Sequence, residues 1–320
     1  MKKVLKITGY ILGGLLAVIL LFAAYIYFGP MPTYEVQAPD LKITADSALL
    51  AEGRRIVLNH CAHCHRGPDG KLSGDLWAND DMLGKLWSAN ITRHPEAGIG
   101  KYTDGELAYT LRTSIKRNGH AAGPFMTFPL LSDQDLAAVI AFLRSDAPEV
   151  QPSERRQPPS ELTFMGRMFF KLIVKPLAYP AKPIVAPAPA DQVAYGRYLA
   201  TGRWDCYRCH SASFETNNDL EPEKSVGYFG GGNPVSDKDR NTALSANISP
   251  DRETGIGAWT EAQFNEAVRF GKRPDGSGLS HLMPPMPALT DEEVAALWAY
   301  LQTVPVVKNK VERAQAHGVK

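Results

Sequence analysis

The sequence is short of cysteine, of net charge and of alternating hydrophobic runs. Only four cysteines occur in 320 residues, as two tight pairs, Cys61/Cys64 and Cys206/Cys209, so none is left over for a disulfide framework. The 35 basic side chains nearly balance 34 acidic ones. That balance excludes the basic footprint of a nucleic-acid-binding protein, and no nucleic-acid partner is expected. No stretch reads convincingly at the two-residue period of a sheet, so the expected fold class is all-α. The 27 glycines and 24 prolines point to short helices joined by long, shaped loops.

Long apolar runs are also scarce, with one exception. Lys2, Lys3 and Lys6 precede an uninterrupted run from Ile7 to Phe28, about the twenty residues that a bilayer-spanning helix needs. The run exceeds the core of an ordinary signal peptide, and bulky Tyr25, Ile26, Tyr27 and Phe28 follow Ala23-Ala24. An uncleaved, single-pass anchor over residues 1–30 is therefore expected, in contact with membrane lipid through 7–28. Lysines on the leading side place the N-terminus in the cytoplasm and the rest of the chain on the periplasmic side of the cytoplasmic membrane.

Beyond the anchor the chain repeats itself. Ala89-Asn90-Ile91-Thr92 leads to Gly98-Ile99-Gly100, Tyr102-Thr103, Arg112 and Gly119. Ala246-Asn247-Ile248-Ser249 leads to Gly255-Ile256-Gly257, Trp259-Thr260, Arg269 and Gly276, at a constant offset of 157 residues. Each unit opens on a cysteine pair and closes on an amphipathic helix, Ser132–Arg144 and Thr290–Leu301. Asp135 and Glu293 stand three residues after the capping hydroxyls. Leu136, Val139, Ile140 and Leu143, like Val294, Leu297, Trp298 and Leu301, recur at helical spacing as a core stripe. Helices are also expected near 49–59, 105–116, 191–201 and 261–272.

The resulting division is an anchor at 1–30, a linker at 31–48, a first domain at 49–147, a proline-rich linker at 148–190, a second domain at 191–305 and a tail at 306–320. The linker holds nine prolines, and its apolar middle, 162–177, predicts a helix carrying Arg167, Lys171 and Lys175. That helix reads as a strut between the domains, with a surface helix in the lipid interface as the second reading.

Cys61-Ala62-His63-Cys64-His65 and Cys206-Tyr207-Arg208-Cys209-His210 both match C-x-x-C-H, the attachment signature of c-type haem. The spacing follows from the chemistry. Two thiols one helical turn apart meet the two vinyl groups on one porphyrin edge, and the histidine beside them supplies a proximal nitrogen to iron. A zinc site would instead gather its ligands on one ion. Two covalent haems c are expected, on Cys61/Cys64 with His65 and on Cys206/Cys209 with His210.

Sixth ligands are expected on the loop before each closing helix: Met126 in the first unit, and Met283 with Met286 as the alternative in the second. The constant offset favours Met283. His120 and His281 offer the competing bis-histidine arrangement. His60, His63, His94 and His317 read as ordinary surface or loop residues. Tyr102, Trp259, Arg112 and Arg269 are candidate propionate contacts, and Asn90 and Asn247 either share that role or orient a loop. Phe229-Gly230-Gly231-Gly232 falls in an insertion peculiar to the second unit, as a flap over the haem edge or a flexible loop.

With these residues in view, the chain resembles the multihaem cytochrome c subunits of bacterial membrane-bound alcohol and sugar-acid dehydrogenases. The Asn247-Ile248-Ser249 to Thr260 stretch, Arg269 and Met283-Pro284 to Leu301 carry the resemblance, which covers about residues 45–305. It implies two cytochrome c-like domains in tandem, and electron relay rather than substrate chemistry. The chain departs from that family in having two haem motifs where three are typical. The expected function is electron transfer, outside the cytoplasmic membrane, from a periplasmic dehydrogenase or quinol-oxidising complex to a terminal acceptor such as an oxidase. A carrier is favoured over an enzyme, so no catalytic residue is expected. A dihaem peroxidase-like enzyme and a cytochrome subunit of a cbb3-type oxidase are the alternatives.

Overall fold

The computed structural model describes residues 1–312. His317 and the end of the expected tail lie outside the described residues.

Helix α1 (Lys2–Phe28) takes up the apolar run, with a mean hydropathy of 2.5. It is the one described helix long and apolar enough to cross a membrane. Apart from Ile26 its large apolar side chains are exposed.

Each repeat then builds a pair of crossing helices. In the first, α2 (Ser47–Ile56) runs through a π turn at Val57–Cys61 into α3 (Ala62–His65). Later come α4 (Asp104–Thr113) and α5 (Asp133–Arg144). Helices α2 and α5 cross at Gly53, where a Cβ would strike the carbonyl of Ala138. The second repeat uses the same device. After a short linker helix, α6 (Phe164–Met168), which continues as a π turn to Ile173, come α7 (Gln192–Tyr198), α8 (Cys206–His210), α9 (Glu261–Phe270) and α10 (Asp291–Leu301). Gly196 of α7 lies against the Ala296 carbonyl of α10. Only a residue without a side chain allows backbones to approach so closely.

Caps delimit these helices as expected. Thr103/Glu106, Thr260/Gln263 and Thr290/Glu293 form complete reciprocal caps. At α5 the box is half made: Ser132 Oγ accepts from the Asp135 amide at 3.1 Å. The Asp135 carboxylate turns instead to Arg203 and the Tyr198 hydroxyl.

The chain is mostly helical, but not wholly so. Strands β1 (Leu76–Asp80) and β2 (Gly84–Trp87) form a hairpin, extended by β3 (Glu161–Leu162). Strands β4 (Pro234–Ser236) and β5 (Thr242–Leu244) form a second hairpin at the matching place. These strands span two to five residues, too few for a period to show in the sequence. Aspartate side chains set the turns. Asp80 Oδ1 accepts from the Met82 and Leu83 amides, and Asp237 Oδ1 from the Asp239 and Asn241 amides, all at 2.8 Å. The hairpins meet where the Asn79 amide donates to the Asp237 carbonyl at 3.0 Å.

One apolar core runs through both repeats, joining Ile56, Leu107, Leu136 and Ile140 to Leu199, Phe264, Leu297 and Leu301. Charge crosses the same junction. Arg203 grips Asp135 through Nε and Nη2 at 2.7 and 2.8 Å, and gives Nη1 to Glu293 at 2.6 Å. Arg55 bonds the other Glu293 oxygen at 2.5 Å and Glu52 at 2.6 Å. Burial alone would lower the Arg203 pKa, but Asp135 outweighs it and holds the guanidinium charged.

Candidate haem-attachment sites

Both C-x-x-C-H motifs are entered through a π turn, Val57–Cys61 and Leu199–Arg203. The extra residue in such a turn rotates the chain beyond it. In the second motif Trp204 and a left-handed Asp205 (φ 51°) intervene before the short helix starts at Cys206. No disulfide joins any of the four cysteines. Burial pushes Cys61, Cys64 and Cys206 up to about 12 and Cys209 to about 11.

The two histidines are held alike. His65 is 4% exposed and its Nδ1 lies 2.7 Å from the Ala89 carbonyl. His210 is 7% exposed and its Nδ1 lies 2.8 Å from the Ala246 carbonyl. A carbonyl only accepts, so Nδ1 carries the proton and Nε2 keeps its lone pair. Burial lowers the pKa of both rings, which keeps them neutral. Among the described residues no group of three or more His, Cys, Asp or Glu side chains is placed to hold a metal ion. Two thiols one turn apart, beside a buried imidazole presenting Nε2, fit the donor set of haem c.

Asn90 and Asn247 position the two carbonyls. Asn90 donates to the Ser153 and Arg155 carbonyls at 2.8 and 2.9 Å and accepts from the Thr92 amide at 2.9 Å. Asn247 donates to the Val307 carbonyl at 2.7 Å and accepts from the Ser249 amide at 2.9 Å. These bonds are those of the loop-orienting role expected for them.

The Phe229–Gly232 segment is no free loop. Phe229 is fully buried, and the Gly231 amide donates to the His210 carbonyl at 2.8 Å. In the first repeat the Gly74 amide makes that bond to His65, also at 2.8 Å. The segment therefore has a counterpart at Leu72–Gly74, and the second repeat's extra residues lie earlier, between His210 and Val226.

The expected sixth ligands lie on two loops. Met126, Phe128 and Met286 pack against the core. The Met126 amide donates to the Gly123 carbonyl at 3.1 Å and the Met283 amide to the Ser280 carbonyl at 2.9 Å, so the turns match Met283 to Met126. The packing matches Met286 to it instead. His120 Nδ1 lies 3.3 Å from the Pro32 carbonyl, and His281, at the surface, bonds Asp237 at 2.7 Å.

Arg112 is fully buried and spends its guanidinium on the carbonyls of Phe128, Pro129 and Leu131 and on Asp133. It braces the first methionine loop. Arg269 bonds Asp291 at 2.7 Å and keeps a buried Nε with no partner. Tyr102 and Trp259 lie half-buried against the core.

The two motifs are neighbours. Arg208 donates to the Thr127 carbonyl at 2.8 Å, and the His60 and Phe128 rings meet edge to face at 5.3 Å. Leu58, Asn59, Ala62 and His63 line a cleft closed by Pro284 and Pro285. Sequence reasoning did not find this proximity. Nor did it find Arg203 or Tyr198, which no periodicity marks.

Residues 50–146 match the profile of the cytochrome c family. A diheme cytochrome c-type protein of Cereibacter sphaeroides is 30% identical over 81% of this chain and 86% of its own length. The chain belongs to the cytochrome c family. The cytochrome is also 28% identical to the cytochrome c subunit of a quinone alcohol dehydrogenase of Gluconobacter oxydans, over 86% of this chain and 58% of the relative. It is 27% identical to the cytochrome subunit of a fructose dehydrogenase of Gluconobacter japonicus, over 77% and 50%. The chain thus spans about half the length of these dehydrogenase subunits. Membership in this family implies covalently bound haem c and electron transfer.

Proposed function

We propose that the chain is an electron-transfer subunit built of two tandem cytochrome c domains. It carries one haem c on Cys61/Cys64 with His65 and a second on Cys206/Cys209 with His210. The observation that carries this reading is the identical posture of the two histidines, each donating Nδ1–H to a carbonyl and presenting Nε2 beside its cysteine pair. When bound, haem c supplies a reversible one-electron iron couple. The chain's own residues do the rest. Ala89 and Ala246 fix the imidazole tautomer, the apolar core excludes water, and Arg112 holds the first methionine loop.

Met126 serves as the first sixth ligand. The packing of Met286 against the core supports it over Met283 as the second. Arg269, with its unpaired Nε, is the better propionate contact of the two arginines, and Tyr102 and Trp259 remain candidates beside it. The contact between Arg208 and the first methionine loop supports electron passage from one haem to the other. Helix α1 anchors the chain in the cytoplasmic membrane, with the haem domains on the periplasmic side. The similarity to dehydrogenase cytochrome subunits supports a membrane-bound dehydrogenase as electron donor.

Mass measurement of the denatured, extracted protein tests the haem count. Two retained haems are expected, and one after Cys61→Ala/Cys64→Ala; a single haem in the parent overturns the reading. For the sixth ligand, Met286→Ala is expected to halve the long-wavelength sulfur–iron band of the oxidised protein and Met283→Ala to leave it whole. The opposite pattern returns the assignment to Met283.

A further inference from the structure

The linker helix at 164–173 makes an unusual contact with the end of α1. The Nζ of Lys171 donates to the carbonyls of Tyr25, Ile26 and Gly29 at 2.8, 2.8 and 2.6 Å. Lys171 is only 3% exposed, and its ammonium lies 5.1 Å from the centre of the Tyr25 ring. Arg167, one turn earlier, stands 5.3 Å from the centre of the Tyr27 ring. A helix C-terminus leaves its last carbonyls unsatisfied and attracts a cation. In α1 the last turn carries no basic residue of its own. Lys171, more than 140 positions away in sequence, fills that place.

The two sides of this linker helix differ. On its inner side Gly166 lies against the Leu83 carbonyl, and Phe169 packs on the cluster of Ala78, Leu83 and Leu86. On its outer side Phe164, Met165, Leu172 and Ile173 stand 40, 48, 41 and 58% exposed. These four are exposed where Gly166 and Lys171 of the same helix are buried. Next to this apolar face, the last turn of α1 carries Tyr25, Tyr27 and Phe28, the residue types of the aromatic belt of a bilayer.

We propose that residues 164–173 form a second membrane element, lying in the headgroup–acyl boundary of the bilayer that α1 crosses. The outer apolar face dips into lipid, and Lys171 clamps the helix to the exit of the span. The occupant of the exposed face is lipid because that face continues the apolar surface of α1, and because Arg167 and Lys175 flank it with charge suited to anionic headgroups. The helix is then at once a strut and a lipid contact. Its inner side carries the first hairpin, so the clamp sets how that part of the cytochrome stands over the membrane. This proposal rests on the reading of α1 as an anchor.

The test uses the full-length holoprotein in phosphatidylethanolamine/phosphatidylglycerol liposomes. The four native cysteines are consumed by haem, so a single introduced thiol takes a nitroxide label. Ile173→Cys probes the helix, Leu16→Cys the middle of the span, and Val185→Cys, 81% exposed in the native chain, the aqueous reference. Collision of each label with a water-soluble nickel chelate is then measured. The expected result is several-fold protection at position 173 relative to 185, and stronger protection at position 16. Adding Lys171→Met is expected to abolish most of the protection at 173 and leave position 16 unchanged. Full nickel access at 173 with position 16 protected overturns the interfacial helix alone. Full access at 16 as well overturns the anchor and this proposal together. Protection at 173 that survives Lys171→Met overturns the clamp.

Discussion

Arg112 and Arg269 occupy the same place in the two repeats, and each meets the first aspartate of its closing helix at 2.7 Å. There the likeness ends. Arg112 is enclosed and also holds three carbonyls of the loop that carries Met126. Arg269 faces an aspartate that is 98% exposed and leaves its own Nε unpaired. The second methionine loop therefore lacks the brace that the first one has. Two copies of one sequence pattern have come to differ in what holds the methionine loop, and the difference lies in three backbone carbonyls rather than in the matching side chain.

The largest way to break both halves at once lies between them. Arg203→Met leaves Asp135 and Glu293 buried without their shared partner, and losing one member of a buried charge cluster costs about 3–5 kcal/mol. A fall in the denaturation midpoint of that size is expected. A loss of under about 1 kcal/mol, the size typical of an exposed pair, would show that the junction tolerates free charge.

The arginine comparison itself is sharpened by a pair of variants. Arg112→Met is expected to cost about 2–3 kcal/mol, because charged hydrogen bonds to buried carbonyls are lost, and to weaken the sulfur–iron band of the first haem. Arg269→Met is expected to cost no more than about 1 kcal/mol, the range of an ion pair with an exposed partner. Equal costs in chemical denaturation would erase the distinction between the two loops.

The smallest effect concerns the residue just before each cysteine motif, His60 in one repeat and Asp205 in the other. Burial, with the charge of Arg208 added, lowers His60 to about 4. Burial, reinforced by Asp219 against the pull of Arg208, raises Asp205 to about 7. Folded His60 stays neutral while the unfolded ring takes up a proton near 6.5, so its contribution is complete above that pH and is lost as pH falls towards about 4. Folded Asp205 keeps its proton while the unfolded carboxyl releases it near 3.8, so its contribution is complete below that pH and is lost as pH rises through about 7. His60→Asn is expected to flatten the acid-side loss of thermal stability. Asp205→Asn is expected to flatten the loss on the rising side. Melting curves across this pH range decide it, and identical pH slopes in the two variants would remove the contrast.

Much of the site was legible because covalent chemistry demands rigid spacing. A C-x-x-C-H motif brings its thiols and imidazole together within one helical turn, so local sequence suffices to find them. The repeat likewise marked Asn90 and Asn247, although not which bonds they make. Short hairpins escaped notice because strands of a few residues show no period, and their aspartate turns look like any polar loop. The extra length of the second repeat does not lie at Phe229, although a count of residues between the motifs is all that sequence offers to place it. Only the paired glycine bonds to His65 and His210 show where the extra residues sit.

By itself, then, the sequence determined the anchor-length apolar run, the helical repeat with its caps, and the two cysteine–histidine motifs. All of these depend on neighbours within a turn or two of the chain. Tertiary structure alone decided what joins the parts: Arg203 between Asp135 and Glu293, Arg208 on the first methionine loop, and Lys171 on the end of α1. Each of these is a single charged side chain reaching a partner distant in the sequence. A lone charge carries no pattern along the chain, and its partner is chosen only when the backbone closes around it.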